Sequence, residues 1–379
     1  MKRKKIRHLF TLVLWIAAVA IALTACKPVE QPDPTKTETV TVPATDPAVT
    51  ESQAAQERTF QDSAGRDVIL PVRLTHMVPS GPLAQIVLFT AAPDLIGAVA
   101  HPVTETQLKL LGEGLGDLPS VGQLYGKGDG FNLEAALMAN TQVIVDIGEA
   151  KDSIKEDLDE ITEQINLPTV FIEATFASMP RAFRDLGVLI GNSERTDLLA
   201  AYCDQWLALS EKARDTIPES ERVSVYWAMG EAGLNTNAVG SFHSELLEYV
   251  PVINVADVEA ANRGGGSEVS MEQIIGWQPD YILVDAANLA DEMQNDPAWS
   301  SLPAVKEGRV IVVPSAPYGF LANPPSVNRY AGLAWLGPLF YPQVYGGDVK
   351  GQVAEFYSLF YGVELDDASL DAILEGRFD

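Results

Sequence analysis

From Phe60 onward the chain alternates between two hydrophobic periods. Short, nearly continuous apolar runs read as buried strands, and longer stretches with apolar residues every three or four positions read as helices. In the first half the pattern predicts strands over 66–70, 75–78, 95–99, 143–147 and 169–172, with helices over 83–90, 131–139 and 151–164. The last of these carries Ile154, Leu158, Ile161 and Ile165 at steps of four, three and four, the spacing of an apolar stripe on one helix face. A longer helical zone follows. Residues 179–190 read as one helix, and Gly191-Asn192-Ser193 supplies a break and a new N-cap. Residues 194–216 then form a helix of roughly 35 Å, ended by Pro218. After it the rhythm returns: strands over 223–227, 252–255, 281–284 and 310–313, a helix over 244–249, and two closing helices over 349–361 and 367–374. Strands that alternate with helices imply an α/β fold with mostly parallel sheets.

A weak internal repeat links the two halves. Asn132-Leu133-Glu134 precedes the apolar run that starts at Val143, and Ser270-Met271-Glu272 precedes the one that starts at Tyr281. In each, a capping residue stands two before a glutamate, and a strand opens nine residues after that glutamate. An acid in the first helical turn is favoured by the helix dipole, so Glu134 and Glu272 read equally as capping aids or as functional acids.

The N-terminus has a different pattern. Lys2, Arg3, Lys4, Lys5 and Arg7 precede an uncharged run from Leu9 to Leu23. As a helix that run spans about 22 Å, short of the ~30 Å bilayer core. It therefore reads as a secretory leader over 1–25 rather than a permanent membrane anchor. Leu23-Thr24-Ala25-Cys26 is similar to the bacterial lipobox, which implies that Cys26 receives a diacylglyceryl group and becomes the new N-terminus. Two acyl chains hold a protein firmly on a membrane. The stretch 26–58 interleaves Pro28, Pro32, Pro34, Pro43 and Pro47 with threonines, has almost no aromatic residues, and reads as a disordered tether. Cys203, the second of the two cysteines, has no partner for an intrachain disulfide and falls on the apolar side of a helix, where it reads as a small buried hydrophobe.

Charge narrows the function. Losing residues 1–25 with their five basic groups leaves 21 Lys and Arg against 52 Asp and Glu, a net −31. This excludes nucleic acid as an expected partner. Roughly 320 folded residues are enough for two domains. No His-Glu-x-x-His, Gly-x-Ser-x-Gly or phosphate-binding loop motif occurs, so no catalytic set is nominated; an exported enzyme and a tethered adhesin or sensor domain stay open as competing classes.

Several of these residues carry a family resemblance. Asp62-Ser63-Ala64-Gly65-Arg66 with Pro71, then Val121-Gly122 with Asn132-Leu133-Glu134, then Glu272 through Trp277-Gln278-Pro279-Asp280, resemble the substrate-binding proteins of ABC importers for iron chelates, haem and cobalamin. One departure is Thr141-Gln142, where the family often has Pro-Asp. The resemblance implies two α/β lobes, 59–192 and 218–379, joined by a single long helix over 193–217, with a ligand cleft between the lobes and modest closure on binding. It implies an extracytoplasmic, lipid-anchored monomer without catalytic activity, whose partner is the transmembrane permease. It also places Glu134 and Glu272 where the family docks on permease arginines.

Ligands of α/β sheets bind beyond the carboxyl ends of the strands. The loops there nominate Ser80, Tyr125, Lys127, Met229, Arg263, Tyr318, Phe320 and Arg329 as ligand-binding residues. The aromatic rings offer stacking surface, and the arginines offer charge-assisted hydrogen bonds. No cofactor is expected. A ferric siderophore is the first expectation for the cargo, with haem, a corrinoid or a molybdate- or tungstate-like oxyanion as alternatives. His76, His101 and His243 are not at metal-ligand spacing.

Overall fold

A computed structural model of the chain describes residues 56–125, 130–261 and 265–378. The leader, Cys26, most of the tether, Lys127 and Arg263 lie outside the described residues. The fold opens with an antiparallel hairpin of β1 (Glu57–Gln61) and β2 (Asp67–Pro71). Glu57 and Arg58, read from their polarity as tether, belong to β1. They pair with Pro71 and Leu70, and the strand buries Phe60 on its inner face. Asp62 closes the hairpin turn by accepting hydrogen bonds from the backbone N–H groups of Ala64 and Arg66, and it ties the hairpin to the lobe by accepting a third from Phe171.

The first lobe continues with β3 (Met77–Pro79), α1 (Pro82–Ala91), α2 (Glu105–Leu111), α3 (Leu133–Met138), β4 (Val143–Gly148), α4 (Ile154–Ile165) and β5 (Thr169–Glu173). Its parallel sheet has the order β3-β4-β5. The expected strand over 95–99 makes only single parallel bridges, Ile96 to Met77 and Val99 to Ser120. Just after it, the Gln85 side-chain oxygen takes the N–H groups of Ala100 and His101, so side-chain bonds replace a further ladder. Helix α2 went unpredicted, although Thr104 and Gln107 form a full capping box at its start.

Helix α5 (Met179–Ile190) packs on β5, and the long helix α6 (Glu194–Thr216) crosses to the second lobe. Gly191 ends α5 in the left-handed conformation. Asn192, rather than Ser193, supplies the side-chain bond at the start of α6, accepting from the N–H of Glu194.

The second lobe contains β6 (Ser224–Ala228), β7 (Asn235–Thr236), α7 (Glu245–Tyr249), β8 (Ile253–Asn254), β9 (Ser267–Glu268), α8 (Met271–Trp277), β10 (Tyr281–Val284), α9 (Ala287–Asn295), α10 (Pro303–Lys306) and β11 (Val310–Val312). Its main sheet is parallel in the order β11-β10-β6-β8, and β7 and β9 form a small antiparallel pair. Helices α11 (Arg329–Phe340), α12 (Pro342–Tyr345), α13 (Val349–Phe356) and α14 (Asp367–Leu374) complete the chain. The helix expected over 349–361 is α-helical only to Phe356 and widens into a π turn over Tyr357–Tyr361.

Strand alternation sorts the side chains. Val143, Val145 and Ile147 of β4 and Leu283 of β10 enter one core, which runs through α5, α6 and α11 and is shared by both lobes. Ile144 and Val78 face a smaller core with Ala136 of α3, and Ile282 and Val284 face another with Ile274 of α8. Cys203 is buried in the shared core, where desolvation pushes its thiol pKa up, as an unreactive packing residue requires.

Candidate functional site

Parallel strands place all their carboxyl ends on one edge. The segments that follow β3, β4, β6, β10 and β11 line three adjoining cavities between the lobes. The first, of about 310 Å³, lies between Gln85, Ile86, His101 and Gln107 on one side and Trp227, Asp285 and the 313–324 segment on the other. The second, also about 310 Å³, is lined by Ser80, Tyr125, Asp146, Lys151, Asp157 and Phe242. The third, about 580 Å³, is lined by Met229, Asn237, His243 and Gly266. Pro82 borders the first two, Glu149 and Phe242 border the second and third, and Asn323 borders the first and third, so the cavities form one cleft. Hydrogen bonds pin the lobes beside it: Gln107 Nε2 donates to Pro317 O at 3.2 Å, and Ser326 Oγ donates to Leu83 O at 3.2 Å.

The nominated residues separate into two groups. Ser80, Tyr125, Met229 and Tyr318 line the cleft. Ser80 Oγ donates to Asp146 Oδ1 at 2.5 Å. Among the described residues the buried Tyr125 hydroxyl has no hydrogen-bond partner, and the Lys151 ammonium sits 5.5 Å from its ring centroid. Met229 Sδ accepts from Asn237 Nδ2 at 3.2 Å. The Tyr318 hydroxyl lies beside the Gln85 side chain without a well-formed hydrogen bond.

Phe320 and Arg329 stand behind the cleft wall. Phe320 packs against Trp335 and Tyr357. Arg329, with no exposed surface, donates through Nη1 to Glu245 Oε2 at 2.8 Å and to Phe242 O at 3.1 Å. Its guanidinium lies between the rings of Phe176 and Phe242, 5.3 and 5.0 Å from their centroids. The glycine beside the Arg263 loop also has a structural task. Gly266 has φ +76°, and a Cβ there would meet the Thr236 backbone oxygen at 2.6 Å, so its close approach is to β7.

Two carboxylates went unrecognised in the sequence. Asp146 interrupts the apolar run of β4, and Asp285 directly follows that of β10. A charge at the carboxyl end of an apolar parallel strand was the available signal. Each is held by a neutral donor: Asp146 by Ser80, and Asp285 by Trp227 Nε1–H at 2.7 Å. Burial raises both carboxyl pKa values above the usual range, while Ser80 and Lys151 oppose the rise at Asp146 and Trp227 opposes it at Asp285. His243 is pushed the other way, its pKa lowered by burial and then by Arg329. Helix α1 adds a polar feature of its own. It begins at Gly81-Pro82 with no side-chain cap and no acid in its own first turn, and this end borders the second cavity.

Glu134 and Glu272 are exposed at the second positions of α3 and α8. The capping work at these helix starts is done by Asn132, which accepts from the N–H of Ala135, and by the reciprocal pair of Ser270 and Gln273. Among the described residues neither glutamate has a hydrogen-bond or ion-pair partner. Exposed apolar side chains lie on the same helices, Leu137 and Met138 on α3 and Ile275 on α8.

Residues 141–317 match the family model described as periplasmic binding protein. An ABC transporter solute binding protein of known structure from Sulfurospirillum deleyianum is 30% identical, with a TM-score of 0.76 over 83% of this chain and 98% of that one. The molybdate-binding protein MolA of Haemophilus influenzae is 29% identical over 166 residues, which is 43% of this chain and 45% of that protein. The match thus spans less than half of that relative's length. An uncharacterized ABC transporter substrate-binding lipoprotein of Bacillus subtilis, YvrC, is 22% identical over 262 residues, 66% of this chain and 76% of that protein. Two α/β lobes with parallel sheets, a cleft at the strand ends and near full-length similarity to the Sulfurospirillum protein converge, and the chain belongs to the solute-binding proteins of ABC transporters.

Proposed function

We propose that this protein captures an iron-siderophore-type metal chelate in the interlobe cleft and delivers it to the permease of an ABC importer. Lipid on Cys26 anchors it outside the cytoplasm, the stretch from Cys26 up to β1 acts as its leash, and it works as a monomer. The observation that carries the ligand reading is the extent and chemistry of the cleft. Three adjoining cavities are walled by Tyr125, Trp227, Phe242 and Tyr318 and carry the carboxylates Asp146, Glu149, Asp157 and Asp285. A compact, multiply charged oxyanion gains nothing from aromatic walls and is repelled by carboxylates; a chelate with a broad organic periphery gains from the walls. The similarity to MolA, together with the start of α1, which has no acid of its own in the first turn, favours a second reading, a molybdate-type oxyanion.

The test is thermal denaturation with ferric siderophores, haem, cobalamin, molybdate and tungstate. A cognate ligand at a hundredfold excess over its Kd adds about 2.7 kcal/mol of stability. A rise with a ferric siderophore supports the first reading. A rise with molybdate or tungstate alone selects the second, and no rise with any member of the panel sinks both.

Glu134 and Glu272 serve in this reading as the contacts to permease arginines, one from each lobe, and their exposure and lack of internal partners support it. Reversing both charges is expected to abolish cargo uptake in cells while ligand affinity stays intact. A loss of affinity would assign them to the cleft instead.

A further inference from the structure

We propose that the first cavity is a subsite for a positively charged group on the ligand, a protonated amine or guanidinium, held by Asp285 against Trp227 and Tyr318. The inference rests on the chelate reading above and specifies the charge of the chelate. Among the described residues Asp285 is the one carboxylate that lines this cavity, and His101, exposed at the rim, is the one basic side chain. The walls are otherwise neutral, with Pro82, Ile86, Pro102, Val313 and Leu321 contributing apolar surface.

A half-buried carboxylate in such surroundings ordinarily has a cation beside it. Here its partner is neutral, the Trp227 Nε1–H at 2.7 Å. Among the described residues no lysine or arginine comes within ion-pairing distance of it. Burial raises the Asp285 pKa, with only the tryptophan bond in opposition. The charge is therefore left for something outside the protein to neutralise.

A second, independent feature points the same way. Tyr318 is only 6% exposed, yet among the described residues its buried hydroxyl has no well-formed hydrogen bond, only the Gln85 side chain beside it. The rings of Trp227 and Tyr318 line the same space, and aromatic faces attract cations. At about 310 Å³ the cavity is at the small end of the range for ligand pockets, a size suited to an aminoalkyl arm, with the metal core in the adjoining space. Asp146 in the second cavity also has a neutral partner, Ser80, but Lys151 acts on it electrostatically, so the assignment is to Asp285 alone.

Binding of three ferric chelates to the full chain, measured by calorimetry, tests this. Ferrioxamine B carries one free ammonium, its N-acetylated form carries none, and a ferric tricatecholate is a trianion. Charge-assisted hydrogen bonds distinguish such ligands by roughly tenfold or more. Ferrioxamine B is expected to bind at least that much more tightly than the acetylated form, and the tricatecholate most weakly. Asp285→Asn keeps an acceptor for Trp227; it is expected to bring ferrioxamine B down to the affinity of the acetylated form and to leave the latter unchanged. Equal binding of the first two, an equal loss for both in Asp285→Asn, or strongest binding of the trianion overturns the subsite while the chelate reading stands. Binding of none of the three overturns both.

Discussion

Arg329 has no exposed surface, yet it carries a full charge between two phenylalanine rings with Glu245 as its counter-ion. Truncating one partner of a buried ion pair leaves the other uncompensated, at a cost of about 3–5 kcal/mol. Glu245 is 22% exposed and regains some hydration, so the lower end applies. Arg329→Ala is expected to lower the unfolding free energy by roughly 3 kcal/mol, read from the urea midpoint. A change below about 0.5 kcal/mol would mean that the pair contributes nothing measurable. Asp285 is the opposite case. Its folded-state pKa is raised above the usual value near 3.8, so the native state holds the proton more tightly than the unfolded chain. The resulting penalty is absent below about pH 3.8, grows as pH rises toward the folded pKa, and is complete above it. Asp285→Asn is therefore expected to stabilise the ligand-free protein at pH 7, with the gain vanishing at pH 3.5. A variant less stable at pH 7 would show that the charged form is already compensated. Residue roles were the least legible part of the sequence. Arg329 and Phe320 have the right chemistry for ligands and lie on the right segment, but only the tertiary fold reveals that they support the wall from behind. Asp146 and Asp285 become visible only once the strand ends are known to face one cleft.

At the scale of elements, helix boundaries were read most faithfully where local signals and packing agree. The expected ranges for α5 and α6 coincide with those observed, because an apolar stripe, a left-handed Gly191 and the following proline all point to the same ends. The segment over 95–99 shows the converse: its apolar run looks like a strand, but the Gln85 side chain claims the neighbouring N–H groups. The contact between α5 and α6 depends on Gly187. A Cβ there would meet Thr196 Oγ1 and come within 3.0 Å of Ser193 Cβ. Alanine gains about 1 kcal/mol of helix propensity over glycine, and overpacking typically costs 1–3 kcal/mol. Because one neighbour is the start of α6 itself, with Ser193 Cα at 3.1 Å, the clash is expected to win. Gly187→Ala should be net destabilising by roughly 1 kcal/mol or more, and adding Thr196→Ala should recover part of the loss. A stabilised single variant would mean that the two helices separate freely.

At the scale of the whole molecule, the shared core determines how the lobes behave. Val145 and Ile172 of the first sheet, Phe183 of α5, Leu199 and Trp206 of α6, Tyr330 of α11, and Trp227 and Leu283 of the second sheet belong to one continuous cluster. Tyr330 Oη donates to Phe176 O at 2.7 Å, and their rings stack at 4.5 Å, adding a direct tie between distant parts of the chain. Neither sheet can lose its inner face without exposing the other, so unfolding should be a single cooperative transition despite the two-lobe architecture. The same continuity resists a wide hinge motion, because packed cores shift between discrete arrangements rather than deforming smoothly. Tryptophan fluorescence reports on Trp227 and Trp206 in the shared core and on Trp299 in the smaller cluster of the second lobe. Far-UV circular dichroism reports on the helices of both lobes. The two probes are expected to give coincident urea transitions, and a bound ligand should move both midpoints together. Two separated transitions, or a ligand that shifts only one probe, would mean that the lobes fold independently and that the cleft closes around a looser joint than α6 and its surrounding core imply.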